Sequence, residues 1–151
     1  MGNITILGPY EKLAGQRAAI ACLGFVARLY DERYNHGFSS AEHFAEHAVT
    51  AIEAIDRTEA WLYDTKAGKV IGGVVYTVAE DLHHAGPFAS EITTRLLPEY
   101  NNSRNVALVG IARRKVLKAI GCDKFQFSRP QPNGTVVLVT RDCEGYFNGR
   151  S

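Results

Sequence analysis

Two β-rich segments separated by a short polar turn dominate the middle of the sequence. Residues 60–63 read Ala-Trp-Leu-Tyr, and residues 70–78 read Val-Ile-Gly-Gly-Val-Val-Tyr-Thr-Val. The intervening segment 64–69 is polar and contains a glycine, which is typical of the turn in an antiparallel hairpin. Gly72 and Gly73 lie inside the second segment and predict a bulge or a close approach of another part of the chain. We therefore expect an antiparallel sheet at the centre of the fold.

The segments around this hairpin alternate between helical and strand patterns. Apolar residues recur at helical spacing in the stretches 10–34, 39–56 and 104–120. The second stretch begins at Ser39, which has capping-box spacing to Glu42. This order predicts an α+β fold, with a mostly antiparallel sheet flanked by helices and one β–α–β crossover around the third helix. The further predicted strands are 3–7, 88–97, 124–129 and 135–140.

Length and charge narrow the class of protein. With 151 residues, of which 46% are hydrophobic, the chain suits one globular domain that folds without disulfides or metals. We expect this domain to span residues 1–141, and the polar, glycine-rich residues 142–151 to form a flexible tail. The formal net charge of +1 argues against binding of nucleic acid through charge alone.

The distribution of apolar residues and cysteines indicates in which cellular compartment the protein works. No apolar run reaches the roughly 20 residues of a membrane-spanning helix, and the apolar run near the start lacks the basic flank of a signal peptide. Three widely spaced cysteines fit neither a disulfide framework nor a zinc knuckle. We therefore expect a cytoplasmic protein.

Two stretches of the sequence resemble the GCN5-related N-acetyltransferase (GNAT) family. The hairpin AWLYDTKAGKVIGGVVYTV is similar to the family's second and third strands, and SEITTRLLPEYNNSRNVAL is similar to its fourth strand, pyrophosphate loop and following helix. The step Leu97-Pro98-Glu99-Tyr100 resembles the V-x-P-E-Y-R step that is common there. The chain also resembles small phage-encoded GNAT-like proteins, some of which are virion components. The resemblance implies a GNAT-like fold and, for a phage-encoded chain, a place in the host cytoplasm or the virion.

The same resemblance implies a site for acetyl-CoA. In the family, free N–H groups at a helix N-terminus bind the pyrophosphate, and the edge of the fourth strand binds the pantetheine arm. Glu91, near the start of that strand, is the implied catalytic base, and His84 in the preceding loop is a second candidate because histidine titrates near neutral pH. The implied cofactor-binding residues are Leu96, Leu97, Asn101, Asn102, Ser103, Arg104 and Asn105.

Two departures from the family pattern change the expected function. The loop 101–107 has no glycine where the family has Q/R-x-x-G-x-G/A, although Arg104 could pair with a phosphate. Residues 130–134 join the last two strands directly, so that the family's fourth helix and the tyrosine acid that it carries are missing. We therefore predict a degenerate, non-catalytic GNAT-fold protein with a protein partner, such as a phage virion or assembly component. The alternative is an acyl-CoA-dependent N-acetyltransferase that acts on an amine.

Three further patterns contain residues that are chemically active in other proteins. His43 to His47 matches H-x-x-E-H, which binds zinc in inverzincin peptidases, but no third ligand follows and we expect no metal site. Tyr146 is the one late tyrosine that could replace the missing acid. A basic face on the third helix is expected to be solvated. It consists of Arg113, Arg114, Lys115 and Lys118.

Overall fold

The structure is a computed structural model that describes residues 3–10 and 23–149. Its centre is a six-stranded sheet whose strands lie side by side in the order of the sequence. All neighbouring strands are antiparallel except β4 and β5, which are parallel. The predicted α+β fold with a mostly antiparallel sheet is confirmed. The strands are β1 Ile4–Leu7, β2 Thr58–Asp64, β3 Lys69–Ala79, β4 Phe88–Leu96, β5 Lys124–Pro130 and β6 Val136–Asp142.

Helices pack on both faces of the sheet. On one face, Phe25 packs edge-on against Trp61, with 6.2 Å between the ring centroids. On the other face, α3 buries Ala112, Val116 and Leu117. No helix in the described ranges is both long and apolar enough to cross a membrane. The helices are α1 Leu23–Ala27, α2 Ala41–Glu53, the 3-10 helix Pro98–Tyr100, α3 Ser103–Ile120 and α4 Cys143–Phe147.

The β2–β3 hairpin contains both features that its glycines predict. A register shift after Leu62 leaves Ile71 as the extra residue of a bulge. Trp61 lies opposite Gly73, and a Cβ atom on Gly73 would stand only 2.3 Å from Cζ3 of the Trp61 ring. The absence of a side chain at Gly73 therefore lets the indole lie directly on the strand.

A second bulge interrupts β4. Tyr76 pairs with Glu91 and Val75 pairs with Thr93, so Ile92 is the extra residue. Side chains of a regular strand alternate between its two faces, and one extra residue reverses that alternation beyond the bulge. Glu91 and Thr93 consequently lie on opposite faces of the sheet.

The first helix differs from the prediction. Residues 11–22 of the predicted helix lie outside the described residues, and α1 ends at Ala27, well before the predicted end at Tyr34. The chain instead turns at Asp31, whose carbonyl accepts a hydrogen bond from the N–H of Tyr34. The Tyr34 hydroxyl donates to the carbonyl of Gln131, 2.7 Å away in the β5–β6 turn. This long-range contact fixes the turn, and helical periodicity does not reveal it.

The second helix is shorter than predicted at both ends. Its N-cap is Ser40 and not Ser39, because the Ser40 hydroxyl accepts from the N–H of His43 at 3.0 Å. The helix ends at Glu53 and not at residue 56. Arg57 donates a hydrogen bond to the carbonyl of Ile52, 3.1 Å away, and so satisfies part of the helix end.

The C-terminal region has more structure than the sequence indicates. As predicted, a turn and no helix joins β5 to β6. The segment 142–151, for which we predicted a flexible tail, contains α4. Cys143 is buried there, and its N–H donates to the carbonyl of Asp123 at 2.8 Å. Tyr146 and Phe147 pack against the core, because their rings cover apolar surface that the sheet and α3 leave open.

Candidate functional site

The sheet opens between β4 and β5. Both strands lie within the described residues. They pair at two positions and then continue without further pairing. We call the space between the diverging segments 91–96 and 127–130 the β4–β5 gap. One edge of each strand therefore presents backbone N–H and C=O groups to this space. The paired positions are Ala89 with Phe125 and Ser90 with Gln126.

The predicted base, Glu91, lies where the gap begins. Its side chain is only 5% exposed, and its Oε1 accepts hydrogen bonds from the backbone N–H of Ser128 at 3.2 Å and from the Ser128 hydroxyl at 3.0 Å. Its Oε2 stands 3.9 Å from Nη2 of Arg113. The carboxylate thus bridges the two strands just where their backbone pairing stops. Ser128 donates to Oε1 alone, and Oε2 is the oxygen that faces Arg113.

A cluster of buried polar groups surrounds Glu91 on the α3 side of the sheet. Tyr76, its partner across the strands, is fully buried, and burial raises the pKa of its phenol far above the usual value of 10.0. The Arg113 guanidinium lies over the ring of Phe127, 5.8 Å from its centroid. Within the described ranges, Tyr76 Oη, Thr94 Oγ1 and Arg113 Nε are buried without a hydrogen-bond partner. Buried polar atoms are normally paired, so Glu91 lies beside an unusually under-satisfied group of buried polar atoms.

The second predicted base, His84, lies in a different environment. Its Nδ1 is 2.8 Å from Oδ1 of Asp81, and its ring contacts Phe88, with 5.0 Å between centroids. It lines a cavity of about 460 Å³ beside the C-terminal end of α3. The residues that contact His84 are not those that contact Glu91, so the structure does not bring the two candidates together.

The predicted cofactor loop joins β4 to α3. Leu97 is buried, and its N–H donates a hydrogen bond to the carbonyl of Ile71 in β3 at 2.9 Å. This bond holds the chain against β3 just after Leu96, the last residue of β4. Asn102 caps α3, because its Oδ1 accepts from the N–H of Asn105 at 2.9 Å. Asn105 is buried, and its Nδ2 donates to the carbonyl of Tyr100 at 2.8 Å.

Most N–H groups of this loop are used within it. The N–H of Asn101 donates to the carbonyl of Pro98, and that of Asn102 donates to the carbonyl of Tyr100. The first-turn N–H groups of Ser103 and Arg104 have no acceptor within the described part of the chain. Two free N–H groups at the positive end of an 18-residue helix, beside the exposed Arg104 side chain, can bind an anion.

A cleft lies on the opposite face of the sheet, between α1, α2 and the β4–β5 gap. Its volume is about 560 Å³, which is in the range of small-molecule sites. Ile92, Thr93 and Arg95 of β4 and Pro130 of β5 line its side toward the gap. We call it the α1–β4 cleft. Its apolar floor is formed by Phe25, Leu29, Phe44, Ile52 and Trp61.

Charged side chains lie at the rim of this cleft. Asp31 and Arg33 form an ion pair with 2.8 Å between Oδ2 and Nη2. The hydrogen bond from Arg33 holds the pKa of Asp31 below its usual value of 3.8, so Asp31 is an anion at neutral pH. Arg95 donates a hydrogen bond to the carbonyl of Thr94 at 3.0 Å. Its charge also helps to lower the pKa of Asp31, although no ion pair within 4.0 Å joins the two side chains.

The remaining residues that the sequence singled out do not line the α1–β4 cleft. The basic face of α3 is less solvated than predicted, because the Arg113 side chain is only 22% exposed and Arg114 lies over the ring of Tyr146 at 5.7 Å. The Tyr146 hydroxyl is 3.5 Å from the carbonyl of Gly110. His43 and His47 both contact the ring of Phe38. The described residues contain no group of three or more metal-ligating side chains.

Sequence reasoning missed three residues of the site. Ser128 gives no local signal, because its role depends on Glu91, which is far away in the sequence. Trp61 and Arg95 are recognisable only from the register, which aligns both with Gly73 on one face of the sheet.

Comparison with known proteins identifies the fold. No protein-family model and no curated protein matches the chain. A mutant form of the spermidine/spermine N-acetyltransferase SpeG from Vibrio cholerae superposes with a TM-score of 0.61 at 13% identity, over 98% of this chain and 99% of that chain. The PaiA N-acetyltransferase from Thermoplasma acidophilum, in complex with coenzyme A, gives 0.58 at 14% identity over 92% and 98%.

A third match comes from another acetyltransferase. The ribosomal-protein-S5-alanine acetyltransferase from Vibrio fischeri gives a TM-score of 0.57 at 12% identity, over 97% of this chain and 96% of that chain. These similarities extend over nearly the whole of each chain, so this chain has the GNAT fold. The phage or virion context that the sequence resemblance implies receives no support from them.

Proposed function

We propose that this chain, which has the GNAT fold, binds an acyl-CoA in the β4–β5 gap and transfers the acyl group to an amine in the α1–β4 cleft. The observation that carries the proposal is the divergence of β4 and β5 after two paired positions, next to a cleft of about 560 Å³. The unpaired edge of β4 can bind an extended arm that contains amide groups, as an added strand would be bound. Ile92 and Thr93 line the cleft on this same strand, so the two binding spaces adjoin.

The N-terminus of α3 would bind the pyrophosphate. Ser103 and Arg104 offer free N–H groups, and Arg104 adds a guanidinium that can form a charge-assisted pair. Asn102 and Asn105 do not need to contact the ligand, since their hydrogen bonds hold the loop in place. An acyl-CoA supplies a thioester, whose acyl carbon an amine can attack. Leu96 and Leu97 end the strand along which the arm would lie.

Glu91 is the group best placed to accept the amine proton. It lies at the start of the gap, and the Ser128 N–H and hydroxyl hold its carboxylate in a fixed orientation. His84 is the weaker candidate because its contacts are with Asp81 and Phe88, away from this point. Spermidine and ribosomal protein alanine are named for the matched enzymes, and neither is carried over as the acceptor of this chain.

A second candidate function is binding of a protein partner without catalysis. It is favoured by the loop itself, in which the N–H groups of Asn101, Asn102 and Asn105 are already hydrogen-bonded within the loop. A loop without glycine also keeps the backbone farther from a phosphate. Direct measurement of cofactor binding separates the two functions.

The test is calorimetric titration of the full chain with acetyl-CoA. We expect micromolar affinity, about −8 kcal/mol. Arg104→Ala should weaken binding about tenfold or more, because it removes one charge-assisted contact. Lys115→Ala is the matched control, since it removes an exposed positive charge farther along the same helix and should leave the affinity unchanged. An absence of binding at millimolar acetyl-CoA would refute the transferase and leave the non-catalytic function.

A further inference from the structure

We propose that the acceptor held in the α1–β4 cleft is an amine that also carries a carboxylate and an apolar side chain, such as an amino acid or a short peptide. Arg95 would bind the carboxylate. This inference rests on the proposed function for the transfer step, but the binding of the acceptor can be measured separately. It excludes polyamines as preferred acceptors.

The charge balance of the cleft is the first argument. The charged side chains among its described lining residues are Asp31, Arg33 and Arg95. Asp31 and Arg33 neutralise each other, since the guanidinium donates from Nε to Asp31 Oδ1 at 3.2 Å and from Nη2 to Oδ2 at 2.8 Å. Arg95 also feels the charge of Asp31, but one carboxylate cannot neutralise two guanidinium groups, so the rim keeps a net charge of +1. The cleft therefore favours a ligand with a negative group and disfavours one that carries only ammonium groups.

Trp61 contributes apolar surface to the cleft. It lines the cleft, and with 3% exposure of the residue its indole nitrogen is out of contact with solvent. The negative group of the ligand would therefore be bound by Arg95, and the ring of Trp61 would pack against the apolar part of the ligand.

The register of the sheet places Trp61 and Arg95 on one face. Trp61 pairs with Gly73 across β2 and β3, and Gly73 pairs with Arg95 across β3 and β4. Directly opposed residues point to the same face, and adjacent strands are about 4.8 Å apart. Because Gly73 has no side chain, the six-membered ring of the indole lies over it, toward the strand of Arg95. The apolar ring and the cation thus line the same cleft.

The apolar floor of the cleft would bind the apolar side chain of the ligand. Phe25, Leu29 and Ile52 present hydrocarbon surface beside the Trp61 ring. A side chain of aliphatic or aromatic character would bury its surface there, while the ammonium group lies toward Ile92 and Thr93 at the gap. On transfer, the amine nitrogen forms the amide bond as the carbon–sulfur bond of the thioester breaks. Of the two protons that the ammonium loses, one passes to a base and the other to the sulfur.

The test compares free phenylalanine with phenethylamine, which differ only in the carboxylate. Calorimetric titration of the full chain should show that phenylalanine binds at least about tenfold more tightly. Arg95→Gln should abolish this preference and leave the affinity for phenethylamine within twofold. Arg95→Lys, which keeps the charge and loses the planar fork, should restore part of it. The matched control is Arg129→Gln, which removes an exposed arginine of β5 that does not line the cleft and should change neither affinity.

The outcomes for the acceptor and for the transferase are separable. Equal or tighter binding of phenethylamine, no binding of phenylalanine, or an equal loss for both ligands in Arg95→Gln would overturn the acceptor class. Consumption of acetyl-CoA with phenethylamine but not with phenylalanine would also overturn it and would keep the transferase. An Arg95-dependent preference for phenylalanine in a chain that does not bind acetyl-CoA would support the carboxylate site and refute the transferase.

Discussion

A methyl group on Gly73 should destabilise the protein by steric contact alone. The backbone of Gly73 does not have a positive φ, so alanine fits its conformation. An added Cβ would stand 2.3 Å from Cζ3 and 2.4 Å from Cε3 of Trp61. Real Cβ atoms do not approach so closely, and the indole has to move. It cannot move freely, because it is 3% exposed and Phe25 packs against it edge-on.

The expected loss follows from two opposing effects. Overpacking of a buried site costs about 1–3 kcal/mol. Replacement of glycine by alanine restricts the unfolded chain and returns about 0.4–1 kcal/mol. Gly73→Ala should therefore lower the free energy of unfolding by about 1–2 kcal/mol. In a domain of this size that corresponds to a fall of about 2–8 °C in Tm.

The assay is urea unfolding followed by tryptophan fluorescence, with Tm from calorimetry. Trp61 is the single tryptophan of the chain, so its emission also reports the displaced ring directly. Gly110→Ala is the matched control, because no atom beyond its chain neighbours and the adjacent helix backbone lies within 4 Å of its added Cβ, and helix propensity should stabilise it by about 0.8–1 kcal/mol. A Gly73→Ala variant as stable as the wild type would show that the indole does not rest on the strand as described.

Two further predictions concern charged groups. Glu91→Gln keeps an oxygen for the Ser128 donors but cannot act as the base, so kcat/KM for acetyl transfer should fall about 10²–10⁴-fold while the affinity for acetyl-CoA stays unchanged. Retained activity would leave Glu91 with only its bridging function between the strands. The control is Ser128→Ala, which removes the hydroxyl alone. The carboxylate of Asp64 accepts from the Ala67 N–H and from the Tyr100 hydroxyl at 2.7 Å, and these bonds hold its pKa below the usual 3.8. A carboxylate whose pKa is lowered by folding stabilises the protein above its unfolded-state pKa, and this stabilisation is lost as the pH falls through the folded-state pKa. Asp64→Asn should therefore lower Tm at pH 7, and the difference from the wild type should disappear in calorimetric scans at a pH below the lowered pKa of Asp64. A difference that persists there would contradict this origin.

Most of the fold was predictable because its elements have strong local patterns. The hairpin of β2 and β3, the strand β4 and the helix α3 each combine a clear apolar period with a turn or cap residue at the end. Gly121 ends α3 in the left-handed conformation, with a φ of 78°, as expected of a glycine after a helix.

The elements that differ from the prediction depend on distant contacts. Tyr34 continues a helical pattern, but its hydroxyl bonds the β5–β6 turn, and the chain leaves the helix before it. The segment after β6 looks polar, yet Cys143 is buried and Tyr146 packs on Phe125 with 5.1 Å between the centroids. Neither contact has a signal in the neighbouring sequence, since each partner lies far away along the chain.

The candidate site illustrates the same limit in one strand. A regular strand would place Glu91 and Arg95, four positions apart, on the same face. The extra residue Ile92 reverses the alternation between them, so that Glu91 joins the buried polar cluster on the α3 side and Arg95 lines the α1–β4 cleft. Nothing in the side chain of Ile92 indicates a bulge. The sequence could therefore identify the carboxylate at the gap but not the cation in the cleft. A single inserted residue thus places a carboxylate on one face of β4 and a guanidinium on the other, the two groups to which we assign the proton and the acid of the acceptor.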